Sequence, residues 1–190
     1  MYYYPYAYPY PYYVNPPVYS NERDQPMFQP MPIHTPDYQE DFWHVADEDD
    51  RVVLKDYGKQ PFVVNIHRAT KQNKNFRTAL WTGKHLQVTL MNIPVGQDIG
   101  LEIHPDVDQF LRIEEGQGVV QMGDSRNNLY FKRNVYEGYA IMVPAGTWHN
   151  VTNTGKKPLK LYSIYAPPEH PFGTVHRTKA DAIAAEREYY

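Results

Sequence analysis

From Arg51 onward, hydrophobic and polar positions alternate in short runs. In His85–Met91, the polar residues His85, Gln87 and Thr89 alternate with Leu86, Val88 and Leu90. A period of two marks a strand with one polar and one apolar face. Further strands are expected at Thr78–Trp81, Gly118–Met122, Asn128–Phe131, Val135–Tyr136, Tyr139–Val143, Trp148–Asn153 and Leu159–Ala166. Thr82-Gly83-Lys84, Gly123-Asp124-Ser125, Gly138 and Asn153-Thr154-Gly155 punctuate them as turns. Phe62–Ile66 is a short apolar run, and Ala69–Asn75 reads as a brief helix or loop. Many short strands at this spacing predict an all-β sandwich or barrel.

After Pro167-Pro168 the pattern changes. Thr178 followed by Asp181 resembles a helix start, and Lys179–Arg187 is rich in good helix formers. A C-terminal helix over 177–190 is expected to pack outside the barrel through Ala182, Ile183 and Tyr189. At the other end, residues 1–20 form a low-complexity Tyr/Pro tract, and Pro26, Pro30, Pro32 and Pro36 continue it. Proline fixes φ and removes a backbone donor, so 1–36 is expected to be a disordered tail and linker. Residues 37–60 begin with acids mixed with Phe42, Trp43 and Val45, and are expected to lay those aromatics on a barrel spanning 61–176. The acidic run Asp47–Asp50 reads as a solvated face.

The formal charge of −3 and the absence of any Lys/Arg block argue against nucleic acid as a partner. There are no cysteines, so any metal must be held by nitrogen and oxygen ligands. No apolar run approaches the roughly 20 residues of a membrane span, and the first residues lack signal-peptide features. The cysteine-free chain suits a cytoplasmic location; the Tyr-rich tail resembles those of bacterial spore-coat and other surface-layer proteins, and that resemblance implies a spore coat as the alternative.

Two stretches concentrate the candidate chemistry. GQDIGLEIHPDVDQFLRIEEG spans Gly96–Gly116, and GYAIMVPAGTWHNVTN spans Gly138–Asn153. Each reads as two strands joined by a tight turn. Glu102 and His104 are two apart and so share a strand face. Gln109 lies beyond the bend at Pro105-Asp106 and can return alongside. His149 follows the turn Pro144-Ala145-Gly146. A polar set of Glu102, His104, Gln109 and His149 can therefore converge.

These stretches resemble the two motifs of the cupins, a superfamily of small β-barrels. Gly96, Glu102, His104, Gln109 and Gly116 keep the spacing of the first motif, with Glu102 in place of its first histidine and Gln109 in place of its glutamate. Gly138, Pro144, Gly146, His149 and Asn153 match the second without departure. The resemblance covers 62–176 and implies a double-stranded β-helix, or jelly-roll, barrel. It also implies one divalent ion held by Glu102, His104, Gln109 and His149. Two imidazoles, a carboxylate and a carboxamide admit Zn, Mn, Fe or Ni.

The ligand kinds are those of the zinc site in cupin-type phosphomannose isomerases, with Glu and Gln in swapped positions and the second domain of the larger isomerases missing. That implies an isomerase-like enzyme acting on a sugar or sugar phosphate, related to mannose-6-phosphate isomerase. Its small-molecule substrate would be a carbohydrate or carboxylate. His85 is the weak candidate for its base, with Gln87 lining the pocket, and His170 and His176 are placed to fold over the mouth. Two His plus Glu102 also match the iron oxygenase triad, so a dioxygenase is a second reading. The third is a non-catalytic spore-coat or surface-layer protein, whose Tyr-rich tail would contact other coat proteins. Cupins often dimerise, and a homodimer is a further expectation.

Overall fold

The structure is a computed structural model that describes residues 51–188. The expected tail at 1–36, the aromatic segment with Phe42 and Trp43, the run Asp47–Asp50 and the contact of Tyr189 lie outside the described residues.

The described chain is a two-sheet antiparallel β-fold with one short helix at each end. Helix α1 (Ile66–Gln72) precedes β1 (Arg77–Thr82), β2 (Gln87–Ile93), β3 (Asp108–Glu115), β4 (Gln117–Gly123), β5 (Phe131–Tyr136), β6 (Ala140–Val143), β7 (Trp148–Asn153), β8 (Leu159–Ala166) and β9 (Val175–His176); α2 (Lys179–Glu188) closes the sequence. One sheet has the order β6-β3-β8-β2-β1-β9, and the other β5-β4-β7. Bridges at Asp98↔Thr152 and Glu102↔His149 lay the 98–102 segment along β7. This is the double-stranded β-helix expected from the motifs.

Several elements depart from the sequence expectation. The helix begins at Ile66 instead of Ala69, because the Asn65 side chain accepts the Arg68 N–H and caps its first turn. Asn128–Phe131 and Val135–Tyr136 are not two strands: β5 runs unbroken from Phe131, and Ser125–Asn128 is the turn before it. In the first motif only 108–115 forms a ladder. Gly96 and Gly100 take φ of 75° and 101°, which breaks the extended run, so 98–102 touches β7 at isolated points. The pair β9 on β1 was not anticipated.

Period-two alternation sorts the side chains into layers. The inward series Met91, Ile93, Leu111, Ile113, Leu159 and Leu161 meets Val120, Val135, Ile141 and Val151 in the main core. Ala182 of α2 joins this core, whereas Ile183 is 41% exposed. The outer face of the larger sheet buries Leu80 and Leu90 beneath Ala69, Val52, Leu54, Tyr57 and Phe62, so 52–62 covers it. Burying each such side chain contributes about 1.5–3 kcal/mol. The core fills only one end of the barrel. At the other end the same inward series turns polar, with Gln87, Thr89, Gln109, Ser163, Tyr165 and His149 all buried.

Candidate metal centre

Polar side chains at that end come from both sheets. Glu102 and His149 exchange backbone hydrogen bonds, which brings their side chains together. Glu102 Oε1 lies 3.3 Å from His149 Nε2 and 3.5 Å from His104 Nε2. The three ligand atoms all fall within 4.8 Å of one another, so the group can hold a metal ion. Two ligands about 2.1 Å from a shared ion, and 90–110° apart, sit about 3.0–3.4 Å from each other. The contacts match that spacing. They do not have hydrogen-bond geometry, for Glu102 Oε1 and both Nε2 atoms are buried without a hydrogen-bond partner.

The surroundings aim these lone pairs inward. His149 Nδ1 lies 2.9 Å from the Thr147 carbonyl, an acceptor that fixes the proton on Nδ1 and leaves Nε2 bare. Glu169 Oε1 lies 3.0 Å from His104 Nδ1, close enough to pair with the ring although out of line for a hydrogen bond. The Gln109 amide nitrogen donates to Ser163 Oγ at 2.9 Å. Its Oε1 is buried and without a hydrogen-bond partner, as a carbonyl ligand requires. Gln109 stands opposite Tyr165 in the sheet, and the Tyr165 ring meets His104 edge-on with centroids 5.6 Å apart.

Charge is arranged to suit a cation. Burial by itself would raise the Glu102 pKa, but His104, His149 and Arg77 hold it well below the usual carboxylate range. Arg77 Nη2 reaches within 3.9 Å of Glu102 Oε2, on the far side of the carboxylate from the two imidazoles. For His104, burial disfavours the charged form, yet Glu102 and Glu169 outweigh it and lift the pKa to about 9. A cation at this point takes over the proton's role. The donor set therefore fits a divalent ion.

The other sequence candidates separate. Gln87 lies fully inside, and its side chain both accepts from the His170 N–H and donates to the His170 carbonyl. This clamp fastens the segment after β8 across the polar end. The His170 ring then meets Tyr165 edge-on at 5.0 Å. His176 lies on β9 opposite Arg77. His85 stands in an exposed turn ahead of β2, because the strand begins only at Gln87. Sequence reasoning missed Arg77, Tyr165 and Glu169. For Tyr165 a signal existed: Ser163 interrupts the apolar series Leu159, Leu161 at the point where the barrel interior becomes polar. Arg77 and Glu169 gave none.

Comparison with known proteins agrees with this architecture. Residues 89–165 match the family model of the cupin domain. The chain is 62% identical over 191 residues to an uncharacterized Bacillus subtilis protein, YrkC, covering 98% of this chain and all of that one. It is 40% identical over 117 residues to an uncharacterized protein of Acanthamoeba polyphaga mimivirus, L612, covering 61% of this chain and 71% of that one. The crystal structure of BH2720 from Bacillus halodurans shares 68% identity and a TM-score of 0.69, over 69% of this chain and 99% of that one. The chain belongs to the cupin superfamily. Among the described residues, no helix is long and apolar enough to cross a membrane.

Proposed function

We propose that the chain is a divalent-metal-dependent, isomerase-like enzyme acting on a small sugar, sugar phosphate or related hydroxycarboxylate. One observation carries the reading: buried lone pairs of Glu102, His104 and His149 face one another without hydrogen-bond partners, with Gln109 Oε1 similarly bare. Glu102, His104, Gln109 and His149 would hold the ion, and Zn, Mn, Fe and Ni all suit such a set. When bound, the ion polarises a substrate carbonyl as a Lewis acid.

The protein's own groups supply the rest. Arg77 keeps Glu102 ionised and oriented. His104 and His149 present Nε2. An isomerase also needs a group that moves a proton between neighbouring carbons. Glu169 is a carboxylate at the polar end that belongs to no ligand position, with its side chain 27% exposed. It is assigned the proton transfer in this reading, while Tyr165 and the clamped His170 segment shield the site from water.

Incubation of the metal-loaded protein with aldoses, ketoses and their phosphates in D2O tests it. Deuterium should enter the carbon next to the carbonyl, seen by NMR. No incorporation from any of them would remove the isomerase assignment. Two imidazoles and a carboxylate also form the donor set of iron oxygenases, which favours a second reading. Oxygen consumption by the Fe(II)-loaded protein, with no deuterium exchange, would select it.

A further inference from the structure

The outer face of the larger sheet carries an apolar row that 52–62 leaves partly open. Register aligns Met142, Phe110, Ile164, Val88 and Trp81 across β6, β3, β8, β2 and β1. The strand neighbours Val143, Gln109, Tyr165 and Gln87 are buried inside the barrel, so period two turns the row outward. No charge interrupts it. None of the five residues is buried, and Met142 is 64% exposed. Contiguous exposed apolar surface of this kind marks contact with another molecule.

Two features identify that molecule. The first is that the cover lies on one side of the row only. Val52, Leu54, Tyr57 and Phe62 pack over Leu80 and Leu90, and Leu90 pairs with Tyr162 in the next row. On the other side lie Asp108, Ala166 and Leu86, all exposed. The second feature is the charge on β3. Asp108 and Arg112 stand two residues either side of Phe110 and share its outward face. Asp108 Oδ1 accepts from the Ala145 N–H at 2.9 Å, and Arg112 Nη1 donates to Glu114 Oε1 at 2.9 Å, so both heads are held in place. The Arg112 side chain is still 42% exposed.

We infer that the row is the contact surface for a second copy of the chain, packed face to face about a two-fold axis that runs along the row. Such an axis lays each row residue against its own copy and reverses the strand direction. It therefore sets Asp108 against the partner's Arg112, and Arg112 against the partner's Asp108. An axis through Phe110 parallel to the strands would instead oppose Asp108 to its own copy, like charge on like charge. Reversal also carries the two covers to opposite sides of the shared row, where each meets the open side of the other sheet. The inference is independent of the metal reading.

Sedimentation of the full chain over about 1–100 μM tests it. The parent should dimerise. Asp108→Lys and Arg112→Glu each bring like charges together twice, and each should weaken the dimer by about tenfold or more. An equimolar mixture of the two variants restores both opposite pairs and should dimerise as the parent does. Met142→Cys gives a second readout that leaves every charge in place. The chain has no cysteine, so the introduced thiol is unique. Because Met142 meets its own copy, a bis-maleimide spanning about 10 Å, the spacing of packed sheets, should join two chains. Tyr130→Cys, off the row and 73% exposed, should not be joined. A monomeric parent would overturn the inference and leave the row to a different partner. So would a dimer indifferent to both charge reversals, a mixture as weak as its components, or equal cross-linking of the two cysteine variants.

Discussion

Glu102 and His149 exchange both backbone hydrogen bonds, at 3.1 and 2.9 Å, and their side chains meet with Oε1 and Nε2 3.3 Å apart. They are a directly opposed antiparallel pair, and opposed residues project from the same face. The backbone bridge therefore sets the ligand spacing, and neither side chain must search for the other. His104 completes the group from two residues further along the same segment, 3.5 Å from Glu102 Oε1.

His149→Ala removes a buried imidazole whose Nε2 faces Glu102 and whose Nδ1 is held by the Thr147 carbonyl. The variant should retain the fold and lose metal, with affinity falling by more than the roughly 10–100-fold that an outer partner costs. Elemental analysis after gel filtration reads this directly. Metal content equal to the parent's would exclude His149 as a ligand.

Gln109→Glu places a carboxylate where the bare, buried Gln109 Oε1 now stands. With an ion bound, the added negative charge should leave affinity equal or tighter. Without one, it should destabilise the fold by a few kcal/mol, because an additional buried charge is uncompensated. Chelator-treated and metal-loaded samples, compared by urea unfolding, should thus move in opposite directions. A marked loss of metal would show that Gln109 Oε1 faces something other than the ion.

The pKa of His104, raised from 6.5 to about 9 against the opposing effect of burial, makes stability depend on pH in metal-free protein. The folded state binds this proton more tightly than the unfolded state. Its contribution is fully present below about pH 6.5 and disappears as pH rises through 9. Chelator-treated protein should lose on the order of 1–3 kcal/mol over that window, and His104→Gln should abolish the slope. Metal binding below pH 9 should release a proton, seen as a dependence of the calorimetric heat on buffer ionisation enthalpy. Glu169→Gln should lower the metal-free pKa of His104 and weaken metal binding by about tenfold.

Asp98 ties the C-terminal helix to the segment that carries Glu102. Its Oδ1 accepts from Lys179 Nζ at 2.6 Å and from the Gly100 N–H at 2.7 Å. Burial pulls its pKa upward, but these contacts prevail and set it below 3.8. A depressed carboxylate stabilises above its unfolded pKa and loses that contribution as pH falls further. Asp98→Asn should therefore cost up to about 1 kcal/mol at pH 7, discounted for its exposure, and the cost should shrink on acidification as the parent's carboxylate is protonated. A difference that grew on acidification would contradict the pairing.

Much of this was legible in the chain. Alternation predicted β2 and β8 at nearly their observed limits, and the turn glycines marked the motif boundaries. Asn65 is a readable cap, and the helix it starts begins three residues before Ala69. His85 carried the same polar alternation as Gln87 and Thr89, but the strand ends before it and leaves it in solvent. Periodicity assigns a face only while pairing continues.

What the sequence determined by itself is local: which residues alternate, where glycine or proline interrupts them, and which donor types stand at fixed spacing within each motif. The tertiary structure alone decided that Arg77 lies against Glu102, that Glu169 returns to His104 across 65 positions, and that Thr89 and Tyr165 bury hydroxyls on one wall. The physical reason is range. Side-chain direction follows from the dihedral angles of a few neighbouring residues, whereas the neighbour that a strand acquires depends on sheet register and loop closure across the whole chain.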